Sequence, residues 1–78
     1  MMLKLSKEEE EYEIKLALNL AFAEISISDF SYDNANHILQ VVIYSDSTKQ
    51  KKCLKTSSNC FDGIIENIRN GDYEMRNL

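Results

Sequence analysis

Large apolar residues fall on every second position from Tyr12 to Phe22: Tyr12, Ile14, Leu16, Leu18, Leu20 and Phe22, with Glu13, Lys15, Ala17, Asn19 and Ala21 between them. Alternation of this kind is what a half-buried strand requires. Two features overrule it. Only Ile14 among these residues is β-branched, and no turn residue lies before Ser26 to let so long a strand reverse. Upstream, Ser6 and Glu9 have the spacing of a capping box, and Glu8, Glu9, Glu10 and Glu11 would sit at the positive end of a helix macrodipole. The Leu, Ala and Lys that follow are good helix formers, and no Gly or Pro interrupts them. The stretch Ser6–Ile25 is therefore predicted to be helical.

The alternation then acquires a different meaning. At about 100° per residue, Ile14, Leu18, Phe22 and Ile25 gather on one side with Ala17 and Ala21 beside them. Tyr12, Leu16 and Leu20 gather on nearly the opposite side. A surface helix ordinarily carries one apolar stripe. The second stripe is either covered by another helix of the same chain, or offered to a partner protein or a symmetric twin.

Further along, Ala23–Tyr32 alternates Ile25 and Ile27 with Ser26 and Ser28, then shifts parity to Phe30 and Tyr32. Such a shift inside a strand predicts either a bulge near Ser28–Asp29 or side chains committed to both faces. Asp33, Asn34, Ala35 and Asn36 read as a turn. His37–Ser45 is rich in β-branched and aromatic residues and reads as the central strand. Asp46, Ser47 and Thr48 make a second turn. Lys49–Thr56 reads as a third strand contributing only Cys53 and Leu54 to a core, and its lysines suit an edge. Ser57, Ser58 and Asn59 are successive N-cap candidates for a second helix carrying Phe61, Ile64, Ile65 and Ile68, with Gly71 as its C′ residue. Gly63 inside that helix suggests a close approach to the sheet. The tail Asp72–Leu78 receives no assignment. The expected architecture is one α+β domain spanning residues 1–78, with a helix, a three-stranded antiparallel sheet and a helix in the order αβββα.

Charge narrows the functional classes. The chain has 13 acidic and 9 basic residues and a net charge of −4, which disfavours general nucleic-acid binding and attraction to anionic membranes. The distribution is uneven: Lys4 and Lys7 accompany five glutamates among residues 1–13, whereas Lys49, Lys51, Lys52 and Lys55 accompany only Asp46 among residues 46–56. Cys53 and Cys60 are too far apart for a C-x-x-C pair, and one histidine adds too little for a zinc site, so no metal and no cofactor is expected. Two free thiols and the lack of any apolar run of membrane-span length make the cytoplasm the default location.

Catalytic signatures are missing. His37 has no neighbour resembling a triad, no G-x-S-x-G elbow is present, and two glycines do not make a phosphate loop. No enzymatic activity is expected. The lysines at 49, 51, 52 and 55, with Tyr44 nearby, are the candidates for a nucleic-acid contact. The αβββα order resembles that of double-stranded RNA-binding domains, but the basic cluster that opens that family's last helix has no counterpart in Asn59, Cys60, Phe61 and Asp62.

Two further resemblances point to proteins as partners. Glu8 to Glu11 and Glu13, then Ile14, Ala17 and Glu24, resemble a ubiquitin-interacting motif, although Ala21 stands in the place of its serine and Tyr12 interrupts the acids. In size, acidity and element order the chain resembles the small phage-encoded anti-CRISPR inhibitors. That resemblance implies a protein that sets carboxylates against the basic nucleic-acid cleft of a host nuclease complex. The candidate partner-binding residues are Glu8, Glu9, Glu10, Glu11, Glu13, Tyr12, Leu16, Leu20, Asp29 and Asp33. A homodimeric regulatory or immunity-type protein using the Tyr12/Leu16/Leu20 stripe, and a nucleic-acid module using the lysine strand, are the alternatives.

Overall fold

Ser6 opens the first helix in the manner its sequence predicts. In the computed structural model, which describes residues 5–78, its hydroxyl accepts from the Glu9 N–H at 3.2 Å, and the Glu9 carboxylate accepts from the Ser6 N–H at 2.9 Å. Helix α1 runs over Lys7–Ala21 and ends at Phe22, whose backbone is extended. Ile25 therefore belongs to the sheet and not to the helical stripe. Residues 1–5 precede the cap and are expected from the sequence to fray; the first four lie outside the described residues.

Strand β1 is Ile25–Asp33, β2 is Ile38–Ser45 and β3 is Lys51–Ser57, consecutive antiparallel neighbours. The register between β1 and β2 slips between Ile27 and Asp29, where the change of parity predicts a bulge. The slip keeps Ile25, Ile27, Phe30 and Tyr32 all turned toward the helices, which an unbroken strand would not allow. Helix α2 is Phe61–Asn70. Gly71 follows in the left-handed region at φ 76°, and the Asp72 N–H bonds the Asn67 carbonyl at 2.8 Å, closing the helix and turning the chain back.

The chain then adds a fourth strand, β4, over Glu74–Asn77, antiparallel to β3 with Met75 opposite Leu54. The sheet is four-stranded in the order β1-β2-β3-β4 and the element order is αβββαβ, which corrects the three-stranded expectation. Four residues with one apolar side chain show no legible period. What forms the strand is the otherwise unpaired backbone of β3, and the direction the Gly71 turn imposes. Tyr73 anchors the approach by packing on Phe22, with ring centroids 5.8 Å apart. One consequence concerns the lysines. β3 is interior, so edge protection does not explain its charge; the edges are β1 and β4.

Both helices lie on one face of the sheet. Ile14 and Leu18 from α1, Ile64 and Ile68 from α2, and Leu39, Val41 and Leu54 from the strands are fully buried together. Each such side chain contributes roughly 1.5–3 kcal/mol by leaving water. Ala17 is buried at the same layer, and Lys15 lies over the Phe30 ring at 4.8 Å, laying α1 along β1. A polar staple fixes α2 to the sheet: the Asn67 amide donates to Thr56 Oγ1 and to the Ser57 carbonyl, both at 3.0 Å, and Thr56 donates to the Asp72 carbonyl. The N-cap of α2 is Cys60, with no side-chain bond, in place of the expected Ser57, Ser58 or Asn59; Ser57 is the last residue of β3. Gly63 makes its close approach not to the sheet but to Ser58 in the preceding connection: a Cβ there would overlap the Ser58 side chain.

Candidate protein-binding surface

The core claims only one flank of α1. Its fully buried residues, Ile14 and Leu18, face α2 and the sheet, and the spacing of four puts Tyr12, Leu16 and Leu20 on the flank turned away. Tyr12 is 63% exposed, Leu16 40% and Leu20 83%. Among the described residues no other segment of the chain covers this stripe. Leu5 extends it at one end, where Leu5, Ser6, Glu8, Glu9, Tyr12 and Glu13 line a shallow hollow. Glu8, Glu9 and Glu13 are exposed there, so an apolar strip ends in a carboxylate cluster.

The glutamates divide by role. Glu9 is held below the usual carboxylate range by the Ser6 backbone N–H, then by the Ser6 side chain, so it stays charged while closing the helix start. Glu10 turns inward. It is 8% exposed and accepts a hydrogen bond from the Tyr32 hydroxyl at 3.0 Å, which ties the first turn of α1 to β1. Burial, then that bond and the Glu10 charge, push the Tyr32 phenol well above its usual range, with Asp33 and Glu11 adding to the effect. Glu11 is half-buried.

Asp29 and Asp33 are not beside the stripe. Both lie on β1 with parity opposite to Phe30 and Tyr32, on the sheet face away from the helices. The Asp33 carboxylate is engaged locally: it accepts from the Asn36 amide at 2.8 Å and from the backbone N–H groups of Asn36 and Ala35, which hold it below the ordinary range. The acidic set is therefore two groups on two surfaces.

The lysines separate as well. Lys51 and Lys55 sit on the open sheet face, Lys52 is half-buried on the helix side beside Phe22, Ile25, Ile43 and Met75, and Lys49 lies in the β2–β3 turn at φ 61°. Sequence reading gives no place to Arg76, which joins Lys51 and Lys55 on the open face, because the short strand that carries it has no legible period. His37 is half-buried at φ 54°, where its carbonyl accepts from the Ser58 N–H. Cys53 is half-buried on the open face and Cys60 exposed; neither is bridged. Among the described residues no three metal-ligating side chains converge, and no helix is long and apolar enough to cross a membrane. No protein family matches this chain, and neither does any curated protein or solved structure.

Proposed function

We propose that this protein is a non-catalytic inhibitor that acts by occupying another protein's surface, with the outer flank of α1 as its docking element. The observation that carries this reading is the exposure of Tyr12 and Leu20, 63% and 83%, on a helix whose capping box and opposite flank already hold it in place. Aromatic and leucine side chains left in water on a rigid helix are the usual material of a helix-in-groove contact. Glu8, Glu9 and Glu13 beside them add a negative patch that favours a basic partner and speeds encounter with it. A nucleic-acid-processing complex is one target class that offers dense positive charge to such a patch. A cytoplasmic host nuclease of the CRISPR type is the concrete version, and a phage or other mobile element the corresponding source.

The test is inhibition of target-DNA cleavage by a panel of guide-loaded CRISPR nucleases, one from each effector class. Wild-type protein is expected to inhibit at least one of them. Glu8→Lys with Glu13→Lys, both exposed and outside the capping box, is expected to slow association by about tenfold at low salt. Cleavage that proceeds unchanged across the panel refutes the reading.

A further inference from the structure

The sheet face turned away from the helices is self-complementary, and we propose that two copies of this chain associate through it in a two-fold, face-to-face dimer. Strand register sets Asp29, Val42, Cys53 and Arg76 in one row across this face. In a neighbouring row Tyr44 is opposite Lys51, and in the other Gln40 is opposite Lys55. The face is thus acidic along β1, where Asp29 and Asp33 lie, and apolar in the middle, where Val42, Tyr44 and Cys53 are half-buried and Ile38 is 39% exposed. Toward β3 and β4 it carries Lys51, Lys55 and Arg76, with Glu74 beside Lys55 as the one acid on that side.

Geometry selects one arrangement. A two-fold axis parallel to the strands, midway between β2 and β3, inverts the strand order of the second sheet while keeping each row in place. β1 of one copy then lies over β4 of the other, and Asp29 meets the partner's Arg76, twice by symmetry. Val42 meets the partner's Cys53, and Tyr44 presents its ring to the partner's Lys51, a cation–π pairing. An axis perpendicular to the strands would lay acidic β1 on acidic β1 and would keep Asp29 away from the partner's Arg76. Two sheets packed in this way sit about 10 Å apart with strands within roughly 30° of alignment, and the contact closes on itself.

The same inventory disfavours a polyanion on this face. Lys51, Lys55 and Arg76 share it with Asp29, Asp33 and Glu74, so no excess of positive charge remains to release counterions from nucleic acid. The projected face is roughly 450 Å² per copy from strand spacing and rise. That is the small end of specific interfaces, so the dimer forms reversibly at roughly micromolar or higher concentration. It leaves the outer flank of α1 free on both sides, and it stands independently of the docking role given to that flank.

Sedimentation equilibrium of the full chain from about 5 to about 500 μM tests the proposal. The average mass is expected to rise toward twice that of the chain. Arg76→Asp and Asp29→Arg should each weaken association by about tenfold or more, and the two together should restore it to within about threefold, since the swap exchanges the signs of a matched pair. Lys51→Glu, opposite the partner's Tyr44, is the second variant should Arg76→Asp not fold, and weakens association similarly. A chain that stays monomeric throughout overturns the proposal. So does a dimer broken by Leu16→Lys with Leu20→Lys yet indifferent to Arg76→Asp, or a double swap that fails to restore association. Tight binding of a single-stranded oligonucleotide, lost in Arg76→Asp, would give the face to a polyanion instead and overturn it as well.

Discussion

Replacing Tyr32 by Phe removes one oxygen from the centre of the contact between α1 and β1. The hydroxyl donates to the Glu10 carboxylate at 3.0 Å, and Glu10 is 8% exposed. Every buried side-chain oxygen or nitrogen among the described residues has a partner, so the loss is not absorbed elsewhere in an existing network. A charged acceptor left buried without its donor destabilises by about 1–3 kcal/mol. For a domain of this size each 1 kcal/mol lowers Tm by roughly 4–8 °C. Glu10→Gln keeps an acceptor oxygen and should lose less. Combining Tyr32→Phe with Glu10→Met replaces both partners by apolar groups and should recover most of the stability, because neither polar group is then stranded. Urea denaturation followed by circular dichroism on wild type, Tyr32→Phe, Glu10→Met and the Tyr32→Phe/Glu10→Met double variant yields the coupling energy, expected at about 1 kcal/mol or more. The alkaline limb adds a sign. The folded state raises the Tyr32 pKa above its ordinary value of 10.0, so the stabilisation is complete below that value and is lost as pH climbs beyond it. Tyr32→Phe should flatten that decline. If Tyr32→Phe stays within about 0.3 kcal/mol of wild type and the coupling vanishes, the Glu10–Tyr32 bond does not hold α1 to β1.

Other expectations follow from single residues. Gly63→Ala gains about 1 kcal/mol of helix propensity but drives its Cβ into Ser58, so thermal melting should show net destabilisation, reversed by adding Ser58→Gly. Lys49→Gly relieves a left-handed residue at φ 61° and should raise stability by up to about 1 kcal/mol in urea titration. Ser6→Ala opens the capping box and should lower stability by about 1 kcal/mol at neutral pH. Glu9 and Asp33 have depressed folded pKa values, so their support is present above the ordinary carboxylate range and fades as pH falls through the folded values. In Ser6→Ala the Glu9 share of that acid-side loss should shrink.

Which parts of this molecule can be read from its letters is decided by range. The capping box, the two stripes of α1, the bulge near Ser28 and β2 all announce themselves within a few residues, because each is a local periodicity or a local bond. β4 does not: it is four residues long, and its cause is the open edge of a strand some twenty positions earlier. Missing it also misplaced the lysines of β3, since a strand looks like an edge until its outer neighbour is found. Glu10 looks like one more surface acid in a run of four, and only the fold sets Tyr32 against it, 22 positions along the chain. The stripe Tyr12/Leu16/Leu20 was legible as a second flank, but whether the chain itself would cover it depended on where α2 docks. Asp29 and Asp33 left the α1 cluster for the same kind of reason: strand parity after the bulge points them away from the helices.

The α1 flank is tested most directly by the inhibitory activity of Leu16→Lys with Leu20→Lys, measured beside wild type on the nuclease that wild type inhibits. Leu20 is 83% and Leu16 40% exposed, and a lysine stem can cover the same apolar surface while its ammonium reaches water, so the variant should melt within a few degrees of wild type while inhibition falls by about 100-fold. Undiminished inhibition by a folded variant would contradict the assignment of that flank as the docking surface.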